Sequence, residues 1–131
     1  MTIVEDREDC RVLFVEDNAG FRQRILRKYL YECEVVELSD GKSFIDQLQD
    51  GDYQLVLMDY ELPDATGEEL VRKARETGYS GGIIGVSSSE YLNRKLLQAG
   101  ADVTVEKRKS YQLPMVIRQA LAISNSRNSN P

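Results

Sequence analysis

The chain contains no histidine. That excludes every chemistry needing an imidazole as base, nucleophile or metal ligand, and autophosphorylation on histidine with them. Cysteine is almost as scarce. Cys10 and Cys33 each stand just ahead of an apolar run, and their spacing fits no zinc or redox motif. Two reduced, structural thiols are the expectation for a cytosolic chain. No apolar run approaches the roughly 20 residues that a membrane-spanning helix requires. Positive charge is in deficit, with 17 Lys and Arg against 22 Asp and Glu and a net charge of −5. Binding to a phosphate backbone rests on a basic face, so no direct contact with nucleic acid is expected. The opening residues Met1-Thr2-Ile3-Val4-Glu5-Asp6 carry neither the basic nor the apolar segment of a secretory signal. A cytoplasmic location with no membrane partner is the expectation.

What is present is an alternation. The 131 residues, 41% apolar and 30% charged, suit one globular domain. Short apolar runs at Val12–Val15, Val35–Leu38, Leu55–Met58, Ile83–Val86 and Val103–Val105 alternate with amphipathic stretches at about 19–31, 41–50, 67–77, 89–99 and 112–123. In the first of these, Phe21, Ile25, Leu26 and Tyr29 recur at helical spacing, with Arg22, Arg24, Arg27 and Lys28 between them. Ser110 is placed to cap the last helix, and Pro114 falls in its first turn, where a missing N–H is tolerated. Residues 1–9 read as a flexible lead-in, 10–123 as the domain, and the polar 124–131 as a disordered tail.

Five strand–helix units predict an α/β domain with a parallel sheet. Runs one, three and four are nearly pure aliphatic, as in strands covered on both faces. Run two carries Glu34 and Glu37, and run five Thr104 and Glu106, so both belong at edges. The order 2-1-3-4-5 follows: a doubly wound, flavodoxin-like sheet whose site lies beyond the carboxyl ends of strands one and three. Glu16-Asp17 and Asp59 fall at those two ends, with Ser87 ending run four and Lys107 ending run five. Three carboxylates at one edge repel one another, and a divalent cation is the usual offset. Each feature alone has a plainer reading: a solvated acidic loop, a helix cap in Ser87-Ser88-Ser89, a basic turn in Lys107-Arg108-Lys109. Their coincidence at one edge outweighs these. Glu5-Asp6 mimics the acidic pair without the strand-and-helix context.

Four segments carry a resemblance: Phe14-Val15-Glu16-Asp17-Asn18, Asp59 through Gly67, Ser87-Ser88, and Gly100-Ala101-Asp102 leading to Lys107. Over residues 10–123 the chain resembles receiver domains of bacterial two-component response regulators, the chemotaxis-regulator-like group. The resemblance implies that Asp59 accepts a phosphoryl group from the phosphohistidine of a sensor histidine kinase or phosphotransfer protein. It implies Mg²⁺ held by Asp17 and Asp59 directly, by Glu16 through water, and by the backbone carbonyl of Glu61. Lys107 would pair with Asp59 at rest and with a phosphoryl oxygen afterwards, and the Ser87 hydroxyl would turn toward the phosphoryl group. A downstream protein would then read the surface of helix four, strand five and helix five. Such a switch catalyses only its own phosphorylation and dephosphorylation.

The sequence departs from the family in three places. Arg108 stands where a proline usually follows the lysine, so a trans bond and a shifted loop are expected; Lys109 is near enough to be a candidate substitute, but the distance from Gly100-Ala101-Asp102 favours Lys107. Thr104 stands where an aromatic often serves as the switch, leaving Tyr91 or Tyr111 to couple instead, while Tyr60, next to Asp59, is placed to shield it. Glu61 and Ser89 flank the approach of the hydrolytic water. Three alternatives compete with this reading. A degenerate receiver would bind partners without phosphorylation. An aspartyl-nucleophile phosphatase of the haloacid-dehalogenase type would need an aspartate where Glu61 stands. A flavin-binding electron carrier would need a phosphate cradle in place of Glu16-Asp17-Asn18.

Overall fold

The computed structural model describes residues 10–129. The lead-in 1–9, with Glu5-Asp6, lies outside the described residues. Strands and helices alternate as β1 (Arg11–Val15), α1 (Ala19–Tyr29), β2 (Glu34–Leu38), α2 (Phe44–Asp50), β3 (Leu55–Asp59), α3 (Gly67–Glu76), β4 (Gly82–Ser87), α4 (Glu90–Ala99), β5 (Val103–Glu106) and α5 (Leu113–Asn128), with a 3₁₀ helix (Lys107–Gln112) leading into α5. All strand pairs are parallel, in the order β2-β1-β3-β4-β5. The aliphatic strands β1, β3 and β4 are central, and the mixed strands β2 and β5 are the edges, as their composition requires.

Side chains alternate across each strand, so the sheet feeds two cores. Val12, Phe14, Leu55, Leu57, Ile84 and Val86 face α1 and α5, packing with Ile25, Leu113, Val116 and Ile117. Leu13, Val15, Val56, Met58 and Ile83 face the other way, packing with Phe44, Leu48, Leu70, Val71 and Leu96 of α2, α3 and α4. Side-chain caps fix where three helices begin. Asn18 Oδ1 accepts from the Phe21 N–H at α1, and Ser89 Oγ accepts from the Leu92 N–H at α4. Thr66 and Glu69 form a reciprocal capping box at α3.

Three expectations are corrected here. The polar stretch after residue 123 is not a disordered tail as far as it is described: α5 continues through Asn128. Ser124 is buried and donates its hydroxyl to the Ser80 carbonyl at 3.1 Å, while the Arg127 guanidinium donates to the Ser80 and Gly81 carbonyls and to Asp102. A polar composition was read as lacking burial, but unpaired loop carbonyls supply these residues with partners. Ser110 does not cap α5. Gln112 occupies the cap position without a side-chain bond, because the 3₁₀ turn delays the helix to Leu113; Pro114 does sit in its first turn. Cys10 and Cys33 are not free thiols but a disulfide, with Cα atoms 5.1 Å apart. Register explains the pairing. Arg11 pairs with Glu34, so the residues just before each become neighbours.

Candidate phosphoryl-acceptor and cation site

Parallel pairing in this order brings the carboxyl ends of β1, β3, β4 and β5 to one edge, and all five candidate side chains meet there. Asp59 is the last residue of β3, and Glu16 and Asp17 follow β1 directly. One carboxylate oxygen from each lies within 4.8 Å of the others. Glu16 is fully buried and Asp59 is 4% exposed, whereas Asp17 is open to solvent. With Asn18, Glu61, Ser87, Ser88 and Lys107, Asp17 and Asp59 line a cleft of about 340 Å³.

The corner after β3 is built to present Asp59. Gly67 donates its N–H to the Tyr60 carbonyl at 2.7 Å, and Glu61 bridges back to Thr66. The Tyr60 hydroxyl donates to Glu68 at 2.8 Å, and burial together with that bond pushes its pKa up to about 12. On the other side of the cleft, Ser87 Oγ accepts the Ser89 N–H at 3.1 Å, in the loop that starts α4.

Charge is only partly balanced. Burial, then the neighbouring Glu16 carboxylate, push the Asp59 pKa up to about 7; Lys107 opposes the rise without cancelling it. The lysine is shared unequally. Lys107 Nζ donates to Glu16 Oε2 at 2.9 Å and stands 3.5 Å from Asp59 Oδ1. The expected resting pair with Asp59 is thus secondary to one with Glu16, the more deeply buried carboxylate. Among the described residues, Glu16 Oε1 is buried with no hydrogen-bond partner. A buried carboxylate oxygen without a donor, beside two further carboxylates, fits a hard divalent cation held through oxygen atoms.

The departures at β5 have a structural outcome. The bond between Lys107 and Arg108 is trans, as expected. Lys107 still reaches the acidic cluster, while Lys109 turns away, 3.8 Å from Glu106, and is no substitute. Thr104 lines a separate groove of about 300 Å³ between α4 and β5, with Asn93 and Leu97 among its walls. Two contributors were missed from the sequence. Asn18 donates its N–H to Glu16 Oε2 at 3.1 Å and caps α1, a role signalled by an Asn ahead of a helical pattern. Phe21 places its ring 4.9 Å from Lys107 Nζ, for which its core-face periodicity gave no signal.

Residues 12–118 match the response regulator receiver domain family. The transcriptional regulatory protein CiaR of Streptococcus pneumoniae is 27% identical over 123 residues, covering 92% of this chain and 55% of CiaR. The sensor histidine kinase RcsC of Escherichia coli is 27% identical over 126 residues, covering 92% of this chain and 13% of RcsC. The chain therefore spans about half of the first relative and a small part of the second. The two-component response regulator 24 of Arabidopsis thaliana is 29% identical over 122 residues, covering 88% and 82%. Among solved structures, a signal receiver domain of an HD domain-containing protein from Pseudomonas fluorescens superposes with a TM-score of 0.84 at 19% identity, covering 94% of both chains. The response regulator TrrA from Thermotoga maritima, solved in complex with Mg²⁺-BeF, superposes at 0.77 with 24% identity, covering 86% and 99%. Sequence and fold agree: this chain belongs to the response regulator receiver domain family.

Proposed function

We propose that the chain is a phosphorylation-operated switch in which Asp59 accepts a phosphoryl group from the phosphohistidine of a sensor kinase or phosphotransfer protein. The observation that carries this reading is the buried, unpartnered Glu16 oxygen beside Asp59, with Lys107 and Ser87 on the same cleft. An Asp59 oxygen forms the new bond to phosphorus as the bond from phosphorus to the donor imidazole breaks, and the imidazole leaves with the bonding electrons. Lys107 shifts from its carboxylates toward a phosphoryl oxygen. The Ser87 hydroxyl, which at rest accepts from the Ser89 N–H, turns to donate to another. That exchange pulls on the loop that caps α4, a local electrostatic event acting on a packed surface.

Mg²⁺ is the cation this donor set suits, with Asp17, Asp59 and the Glu61 carbonyl as ligands and Glu16 through water. When bound it neutralises charge on the transferring group. TrrA, a structural relative crystallised with Mg²⁺-BeF, supports the choice. The partial match to a sensor histidine kinase supports a histidine-based phosphodonor. The downstream partner is a protein docking on α4, β5 and α5, where Tyr91, Leu97 and Met115 are exposed beside Tyr111 of the 3₁₀ helix. The chain acts in the cytoplasm and catalyses only its own phosphorylation and dephosphorylation. Among the described residues, no helix is long and apolar enough to cross a membrane.

The test is intact-mass spectrometry after incubation with acetyl phosphate and Mg²⁺. The expected result is a single phosphoryl adduct that disappears with EDTA or with Asp59→Asn. A folded wild-type protein that takes up no phosphoryl group overturns the proposal and favours a degenerate receiver.

A further inference from the structure

Lys107 has to keep its ammonium between two carboxylates on a flexible four-carbon stem, at the start of a 3₁₀ turn whose Lys109 departs from helical angles. Its two anionic neighbours do not by themselves hold it there. Glu16 is the nearer, at 2.9 Å against 3.5 Å for Asp59, and it is fully buried. Left to charge alone, the ammonium would settle on Glu16 and away from the position where a phosphoryl oxygen on Asp59 would need it.

A third, uncharged contact is present. The Phe21 ring centroid lies 4.9 Å from Lys107 Nζ, within the range in which a cation is attracted to an aromatic face. Phe21 is well placed to act as a fixed platform. It lies in the first turn of α1, its N–H is held by Asn18 Oδ1 at 2.9 Å, and its side chain is 7% exposed within the core under α1 and α5. Asn18 also donates to Glu16, so one residue aligns both the ring and the carboxylate that share the lysine. Arg24 also contacts this ring, at 5.3 Å, but it is exposed and makes no contact with the acidic cluster.

We infer that Phe21 is a positioning residue for phosphoryl transfer: its ring holds the Lys107 ammonium between Glu16 and Asp59. The inference rests on the role proposed for Lys107. A plain core role for Phe21 would be served equally by an aliphatic side chain of similar volume, whereas this role requires an aromatic face.

The experiment measures the rate of Asp59 phosphorylation by acetyl phosphate at saturating Mg²⁺ in the full chain. The variants are Phe21→Leu, Phe21→Tyr, Lys107→Ala, Arg24→Ala and the double variant Phe21→Leu with Lys107→Ala. Far-UV circular dichroism and melting confirm the fold of each, and Phe21→Met replaces Phe21→Leu if the latter does not fold. Phe21→Leu is expected to slow phosphorylation by about two- to tenfold, the range a cation–π contact supports. Phe21→Tyr and Arg24→Ala should stay within about twofold of wild type. The double variant should be no slower than Lys107→Ala alone, because the ring acts only through the lysine. Equal slowing by Phe21→Leu in both backgrounds, or an unaffected Phe21→Leu, overturns the inference while leaving Lys107 in place. An unaffected Lys107→Ala removes the role of Lys107 and the inference with it.

Discussion

Gly67 packs directly against the backbone carbonyl of Asp59, so closely that a methyl group on Gly67 would overlap that oxygen. Asp59 and the first residue of α3 are thus set by one contact, and the hydrogen bond from Gly67 to Tyr60 closes the turn around it. Glycine is needed there for space. Gly67→Ala is expected to push β3 and α3 apart at this corner and to destabilise the protein by about 1–3 kcal/mol, as overpacking does. Urea denaturation measures the loss, and acetyl phosphate labelling should slow with it. Unchanged stability together with an unchanged labelling rate would show that the corner relaxes freely.

Asp59 is a carboxylate that the fold disfavours in its charged form. Its pKa is raised to about 7 from an ordinary 3.8, so between those values the folded state holds a proton that the unfolded state has released. Stability contributed by this group therefore falls as pH rises from about 4 to about 7, and the penalty is full above that. Asp59→Asn, which cannot ionise, should stabilise the metal-free protein by roughly 2–4 kcal/mol at pH 8 and by little at pH 4. Mg²⁺ should raise the melting temperature of wild type more than that of the variant. Thermal melts of both proteins at the two pH values, with and without Mg²⁺, decide the matter. A wild-type protein as stable as Asp59→Asn at pH 8 without metal would mean that Lys107 offsets the burial completely.

The fold was legible because its signals are local. Aliphatic runs ending in acidic, hydroxyl and basic residues marked the strand ends, and the charges on β2 and β5 marked the edges. Those two facts bring Glu16, Asp17, Asp59, Ser87 and Lys107 to one edge of the sheet from the sequence alone. What stayed hidden depends on pairing across long sequence separations. The Cys10–Cys33 bond follows from the β1–β2 register, and neither cysteine carries that register in its own neighbourhood. The preference of Lys107 for Glu16 over Asp59 depends on which carboxylate is more deeply buried. Phe21 looked like any core residue of an amphipathic helix, since its spacing cannot reveal that its ring also borders the cleft. The end of α5 was misjudged because its partners lie 44 or more residues earlier, at Ser80.

That last region gives a prediction at the end of the sheet opposite the cleft. Asp102 accepts from Arg75 at 3.0 Å and from Arg127 at 2.9 Å, so one carboxylate joins α3, the loop before β5 and the end of α5. Asp102 also accepts the Ile83 N–H at 3.0 Å. Asp102→Ala would leave a partly buried arginine and a backbone donor without their acceptor, and should cost about 2–4 kcal/mol. Arg127→Ala removes the more exposed arm together with the bonds to the Ser80 and Gly81 carbonyls, and should cost about 1–2 kcal/mol. Hydrogen exchange of amides 121–128 should quicken in both variants. Unchanged protection there would mean that Ser124 and Asn128 alone hold the end of α5.

The disulfide joins the residue before β1 to the residue that leads into β2, closing a loop across 23 positions of sequence. A cross-link of that span restricts the unfolded chain and contributes about 3 kcal/mol to stability. Reduction, or Cys33→Ser, should therefore lower the denaturation midpoint by a corresponding amount. The bond lies at the opposite end of β1 from Glu16, and the five residues of the strand between them span about 17 Å. The geometry of the cleft should therefore survive reduction, and the phosphorylation rate should stay within about twofold of the oxidised protein under conditions where both are folded. Alkylation of the native protein with iodoacetamide, read by mass before and after a phosphine reductant, reports the state of the bond. Two alkylated thiols without reductant would show a reduced pair and remove the predicted stability difference. A phosphorylation rate that falls sharply on reduction would instead show that loosening of the β1–β2 pair is transmitted along the sheet to Asp59.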